Sequence, residues 1–243
     1  MKHDTVKPYG DANKSKKEEV AEMFNRISGR YDFLNHFLSV GIDKGWRRKA
    51  IKMLAEVEPK RILDIASGTG DFAIAALKLN PTEVIGMDIS EGMLEVGRKK
   101  MDKLGVSNIV DMRLGDSEAL PFEDNYFDGL TVGFGVRNYE NLEKGLAEML
   151  RVVRPGGKLI ILEFSKPKKF PVKQYYAFHS KYIIPFFGKR ISKEEKAYSY
   201  LPESVAAFPE GKDFTDILEK LGYKNVGRKT VSGGIATIYY GIK

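Results

Sequence analysis

Three aspartates sit where apolar runs end. Asp64 falls just before the glycines of Asp64-Ile65-Ala66-Ser67-Gly68-Thr69-Gly70-Asp71, Asp88 closes Val84-Ile85-Gly86-Met87, and Asp116 follows the run Ile109 to Leu114. A carboxylate at the end of a strand can accept both hydroxyls of a ribose diol, which suits Asp88. Asp116, with Ser117 beside it, is placed for an adenine amino group, and Asp64 for a cationic amine and sulfonium end. Glycines between strand and helix let the backbone approach a ligand while the helix presents its N-terminus. Gly68-x-Gly70-x-x-Ala73 also satisfies the dinucleotide fingerprint, which is a weak signal on its own. A pyrophosphate would be repelled by an acid-rich rim, whereas S-adenosylmethionine, without phosphate and with net positive charge, would be attracted. The site therefore reads as one for S-adenosylmethionine, lined by Asp64, Gly68, Thr69, Gly70, Asp88, Ile89, Asp116, Ser117 and Gly133.

The elements that must position these residues follow from periodicity. Arg61 to Ile65, Val84 to Met87, Ile109 to Leu114, Phe127 to Val132 and Lys158 to Phe164 read as strands, separated by helical patterns. The helices run from Asp71 to Leu79, from a Ser90 cap to Leu104 with Gly105 ending it, and along Leu142, Leu146, Met149 and Val153. Strand–helix alternation of this spacing predicts an α/β fold with a doubly wound, mostly parallel sheet, its acids along the carboxyl edge. After a helix around Phe214 to Leu221, Asn225 to Val231 and Ile235 to Ile242 meet at Ser232-Gly233-Gly234. That hairpin makes seven strands and gives the sheet an antiparallel last strand. Ahead of this domain (59–243), Val20, Phe24, Ile27, Tyr31, Leu34 and Leu38 form a helical stripe with a break expected near Ser28-Gly29, and Trp46 to Val57 forms a second. Residues 17–58 are thus a helical cap, residues 1–16 a mobile lysine-bearing arm, and about 165–210 an insertion.

Composition removes whole classes. The 243 residues carry no cysteine and three histidines (His3, His36, His179), with no paired spacing. Disulfide scaffolds, zinc ribbons and thiol nucleophiles are excluded, and no metal is expected. The longest aliphatic run, Leu159 to Leu162, is far short of a membrane span, and the first residues offer no signal peptide. The default compartment is the cytoplasm. Forty basic against thirty-three acidic residues give +7, a balance that favours anionic partners without choosing between nucleic acid and acidic phospholipid.

DIASGTG, the acid-ended second strand and LRVVRPGGKLIILE together resemble class I methyltransferases, with Ala66 where that superfamily usually has its first glycine. A slightly different loop is expected there. Two longer stretches resemble a narrower family, the ubiquinone/menaquinone biosynthesis C-methyltransferases. Tyr31 to Arg47 (YDFLNHFLSVGIDKGWR) matches its first signature and Arg151 to Ser165 (RVVRPGGKLIILEFS) its second. Gly133-Phe134-Gly135-Val136-Arg137-Asn138 matches its fourth-strand segment, and Tyr198 to Leu201 with Glu203-Ser204 its insertion. Leu34 replaces a usual methionine, Asp43 a usual histidine, and Gly133 stands where some members have a serine that contacts the cofactor.

The resemblance implies methylation of a ring carbon on a polyprenylated quinol such as demethylmenaquinol; the menaquinone and ubiquinone series share the signatures. Such a reaction needs a deprotonated phenol beside the attacking carbon, in-line positioning and a dry pocket. Arg137 is the first candidate to stabilise the phenolate or orient a water. Tyr31 is the second, as a partner of the ring oxygen, with Asn35 and Asn138 to orient either group. His36, beside a helical stripe, reads as structural. Lys166, Lys168, Lys169 and Lys173, followed by Tyr175, Tyr176 and Phe178, and then Tyr182 to Arg190, suit peripheral contact with an anionic membrane at its inner face. A self-packed helical lid accounts for them equally well, and a homo-oligomer is compatible with the chain. Three rivals stand beside this reading: methylation of RNA, methylation of another lipid-like molecule, and a non-catalytic scaffold. No nucleic acid is expected, because no RNA-binding module is appended and the basic segment is rich in bulky apolar residues.

Overall fold

A computed structural model describes residues 2–38, 41–178 and 195–243, with side chains placed outside 33–40 and 177–199. Its strands are β1 (Arg61–Ile65), β2 (Glu83–Asp88), β3 (Val110–Leu114), β4 (Phe127–Gly133), β5 (Val153–Phe164), β6 (Lys224–Val231) and β7 (Ala236–Ile242). They form one sheet in the order β3-β2-β1-β4-β5-β7-β6. β1 to β5 pair in parallel, and β7 inserts antiparallel between β5 and β6. The order reverses at β1, so β1 and β4 diverge there and open the crevice in which such sheets bind ligands.

The helices are α1 (Lys16–Leu38), α2 (Ile42–Leu54), α3 (Asp71–Ala76), α4 (Glu91–Leu104), α5 (Leu142–Val152), α6 (Val172–Phe178), α7 (Glu195–Ala207) and α8 (Lys212–Leu221). Alternate strand residues face two different helix layers, as the period of two requires. Leu63, Ile65, Leu130, Val132, Leu159 and Ile161 pack with Leu146, Met149 and Phe214 of α5 and α8. Ile62, Val84, Ile160 and Leu162 pack with Ile51, Leu54, Phe72, Leu94 and Met101 of α2, α3 and α4. The capping residues sit as expected: Ser90 Oγ accepts from the Met93 amide, and Gly105 ends α4 in the left-handed region at φ 66°. Among the described residues no helix is long and apolar enough to cross a membrane.

Three expectations are corrected. α1 runs unbroken through Ser28-Gly29, because Val20, Met23, Phe24 and Ile27 pack in one cluster just ahead of the pair and Ser28 lies against Gly92 of α4. The fifth strand, expected to start at Lys158, begins at Val153 and takes in Pro155-Gly156-Gly157. Six residues there (153 to 158) span the same stretch of ladder as three (127 to 129), an irregularity that includes Gly156 at φ 76°. Residues 3–16 do not hang free as a mobile arm. The Glu19 carboxylate accepts the successive amides of Tyr9, Gly10 and Asp11 at 2.5, 2.9 and 2.7 Å. His3 is 1% exposed and edges onto Phe208. Lys16 is buried, its Nζ donating to the carbonyls of His3 and Arg137 (2.8 and 3.4 Å), and burial lowers its pKa to about 8. These contacts are non-local or depend on backbone donors, and hydropathy patterning cannot register either kind.

Candidate active site

A cavity opens at the carboxyl ends of β1, β2 and β4, under α1. Its lining includes Gly68, Asp88, Ile89, Asp116, Ser117 and Gly133 from the strand ends and Lys17, Val20, Phe24 and Tyr31 from α1. Asp88 holds the floor. Its Oδ2 accepts from the Gly68 amide at 2.8 Å and its Oδ1 from the Ser90 amide at 2.9 Å, tying the glycine loop to the start of α4. Burial raises its pKa against those amides.

The loop between β1 and α3 needs unusual backbone. Gly70 lies at φ 83°, and a Cβ there would come within 2.3 Å of Met101. Ala66 sits at φ 51°. The loop therefore keeps a glycine-like conformation although the residue is alanine, so the expected change of loop shape is paid as local strain instead.

Asp64, Thr69 and Gly70 do not line the cavity, contrary to expectation. Asp64 is fully buried, with Oδ2 accepting from the Ala73 amide (3.0 Å) and Oδ1 from the Thr131 hydroxyl (2.7 Å). It brackets α3 to β4, and burial pushes its pKa up to about 7. Thr69 Oγ1 donates to Asp32 of α1, and Lys100 joins both at 2.8 Å to Asp32 and 3.1 Å to Thr69. Thr69 is thus where the loop meets the roof.

Asp116 does line the cavity, but it is already paired: Lys17 donates to Oδ2, and Oδ1 accepts the Glu118 amide at 2.9 Å. Tyr31 packs edge-on against Phe24, ring centroids 5.8 Å apart, and faces Gly68. Asn35 and His36 lie outside the described side chains. Arg137 is buried one residue behind the wall. Its guanidinium donates to Glu163 (2.9 Å) and to the Phe134 carbonyl and lies 5.5 Å from the Phe164 ring centre. Burial raises the Glu163 pKa against the pull of Arg137, but the two side chains meet at 2.9 Å with both buried, so the guanidinium is paired away from the cavity. Its neighbour Asn138 lines the cavity with Oδ1 buried and unpartnered among the described residues.

Reading the sequence missed Lys17, Phe24, Phe134 and Tyr139 as wall residues. Phe24 had a signal, since it shares the stripe of Tyr31, but a stripe at helical spacing looks the same whether it covers a core or a ligand. Phe134 had none: it sits at φ 59° between two glycines and stacks on Phe164 at 4.4 Å, under Trp46. Asp43, the departure from the first signature, is buried and bonded to Arg47 one turn on, and Arg47 caps the Phe134 ring at 5.8 Å. Among the described residues no cluster of histidine and carboxylate groups is arranged for a metal ion.

The model of the ubiE/COQ5 methyltransferase family matches residues 12–243. The chain belongs to that family. It is 48% identical over 239 residues to a Bacteroides fragilis protein named demethylmenaquinone methyltransferase, covering 98% of this chain and 97% of the relative. It is 41% identical over 230 residues to a Geobacter sulfurreducens ubiquinone/menaquinone biosynthesis C-methyltransferase, covering 94% and 90%. A solved SAM-dependent methyltransferase from Thermotoga maritima shares the fold with a TM-score of 0.62 at 22% identity, over 91% of this chain and 99% of that one. The protein is a methyltransferase, and its methyl donor is S-adenosylmethionine. The cavity fits that donor: a floor acid hydrogen-bonded to the glycine loop, a second acid at the β3 end, and no cationic cradle for phosphates on the strand side.

Proposed function

We propose that the protein methylates a ring carbon of a polyprenylated quinol, converting demethylmenaquinol to menaquinol. The observation that carries this reading is the likeness, along 98% of the chain, to the Bacteroides fragilis protein of that name. The bound donor supplies an electrophilic sulfonium methyl. The chain's own part is to hold the ribose on Asp88 and the adenine beside Asp116 and Ser117, and to present the acceptor from the side of Tyr31, Phe134 and Asn138. An aromatic wall suits a planar hydroquinone, and the unpartnered Asn138 Oδ1 suits a phenolic hydroxyl as hydrogen-bond donor. Loss of that proton to solvent makes the adjacent carbon nucleophilic; its bond to the methyl forms as the sulfonium–methyl bond breaks, S-adenosylhomocysteine leaves, and the ring carbon gives up its own hydrogen as a proton. Charge is neutralised as carbon meets methyl, so a dry wall favours the step.

Arg137 enters this reading as a positioning residue rather than as a direct partner of the acceptor. With its charge balanced by Glu163 and its side chain behind the wall, its contribution is to hold the Phe134 carbonyl and so the aromatic wall beside Asn138. Arg137→Ala should lower kcat on the order of 100-fold while leaving donor affinity nearly intact; equal loss of both would put Arg137 in the donor site. The membrane contact expected of the insertion is supported at its start, where Phe170 is 80% and Tyr175 58% exposed among Lys168, Lys169 and Lys173. The segment Tyr182 to Arg190 lies outside the described residues.

The deciding experiment follows a labelled methyl. The protein is incubated with methyl-labelled S-adenosylmethionine and a reduced lipid extract from cells unable to methylate quinones. Label should enter the organic phase and vanish from it when the quinols are kept oxidised. Label in nucleic acid, or in a lipid indifferent to reduction, would overturn the reading.

A further inference from the structure

We propose that α2 carries a second membrane-docking surface, a cationic stripe that lies on an anionic phospholipid leaflet beside the start of the insertion. The proposal rests on the quinol reading, which gives the protein a lipid acceptor to reach.

Lys44, Arg48 and Lys52 recur every four residues on α2 and are all exposed. Like charges at that spacing repel and weaken a helix. Among the described residues no ion pair or hydrogen bond relieves any of the three. The neighbouring cations differ: Arg47 is bound by Asp43 and reaches Asp71 at 3.6 Å, and Lys100 by Asp32 and Asp71 at 2.8 and 2.7 Å. The stripe borders a groove between α2 and α3, with Lys78 on its far side. The rest of the groove is aliphatic along Ile51, Ile74 and Leu79, with Ile42 46% exposed at its edge, and its two carboxylates, Asp32 and Asp71, are paired with Arg47 and Lys100. Cations above an aliphatic surface match a phospholipid, whose headgroup is anionic and whose body is apolar. Nucleic acid fits less well, because among the described residues no aromatic side chain lines the groove to stack a base.

Two contacts join this surface to the insertion. The Trp46 indole on α2 donates to Ser232 Oγ at 2.8 Å, and Val172 at the start of α6 packs on Gly233, where an added Cβ would meet it at 2.7 Å. The turn Ser232–Gly234 thus braces both α2 and α6. The groove also shares Asp32 with the roof of the active site, one residue from Tyr31. A leaflet spanning both surfaces would lie next to the acceptor's entrance.

The test is sedimentation of the full chain with phosphatidylcholine vesicles containing 30 mol% or no phosphatidylglycerol (about one anionic lipid in three in the first set). The wild type should pellet only with the anionic set and be released by high salt. The variant Lys44→Gln/Arg48→Gln/Lys52→Gln should bind on the order of 100-fold more weakly with an unchanged melting temperature and unchanged turnover of a water-soluble short-chain quinol. Unaltered pelleting of that variant, or loss only when Lys168, Lys169 and Lys173 are neutralised, would overturn the α2 assignment. So would a wild type that ignores vesicles and binds single-stranded RNA through the same three residues. Failure of the wild type to methylate the short-chain quinol would instead strike the quinol reading.

Discussion

The floor of the active-site cavity is held by buried carboxylates accepting backbone amides, whereas its roof is held by half-exposed pairs between side chains. Asp88 takes the amides of Gly68 and Ser90, and Asp64 takes that of Ala73 and the Thr131 hydroxyl. Over them, α1 is pinned by Lys17 to Asp116, by Asn25 Oδ1 accepting from Ser90 Oγ and the Gly92 amide (2.8 and 2.9 Å), and by Asp32 to Thr69 and Lys100. A hydrogen bond from a backbone amide to a buried charged group contributes about 1.5–3 kcal/mol. A half-exposed ion pair contributes about 0.2–1 kcal/mol. The difference separates a strongly held surface from a cover held by weaker contacts.

The largest effect should come from the floor. Asp88→Ala removes the acceptor for two amides and the ribose partner together, and donor affinity measured by titration calorimetry should fall on the order of 100-fold. An unchanged affinity would remove the ribose assignment and reduce Asp88 to a structural bracket like Asp64.

A smaller and differently placed effect should follow Asp32→Ala, which cuts α1 from Thr69 and Lys100. Global stability should drop by no more than about 1 kcal/mol. Hydrogen exchange along α1 should nevertheless speed up several-fold while the amides of β1, β2 and β4 stay protected. If sheet and α1 accelerate together, roof and floor form one cooperative unit and the contrast between them is false.

The same contrast explains what could be read from the chain. The floor was legible because it is local: the strand that ends at Asp88, the Ser90 cap and the glycine loop each announce themselves within a few residues. The sheet followed from alternation, down to the antiparallel pairing of the last two strands. The roof was half legible. The periodicity of Val20, Phe24 and Tyr31 gave a helix but not what it covers, and no local rule pairs Lys17 with Asp116 or Asp32 with Lys100 across 99 and 68 residues. Arg137 was picked out by resemblance to a motif. Its closed pair with Glu163 depends on two strand ends meeting, which only the fold supplies.

Ala66 gives the finest test of the floor. A non-glycine residue in the left-handed region costs about 1–2 kcal/mol, and Ala66 carries that strain at φ 51° in the loop that must meet the donor. Replacing it with glycine removes the strain but adds about 0.4–1 kcal/mol of unfolded-state entropy and deletes a half-buried methyl worth about 0.4 kcal/mol, half of a buried CH₂. The net expectation for Ala66→Gly is a gain of about 0.5 kcal/mol, a rise of roughly 1–2 °C in melting temperature. A loss of about 1 kcal/mol or more would mean that the methyl's packing near Gly135 outweighs the backbone strain. The loop would then be kept in place by side-chain contact as much as by Asp88, and the floor would differ from the roof in degree, not in kind.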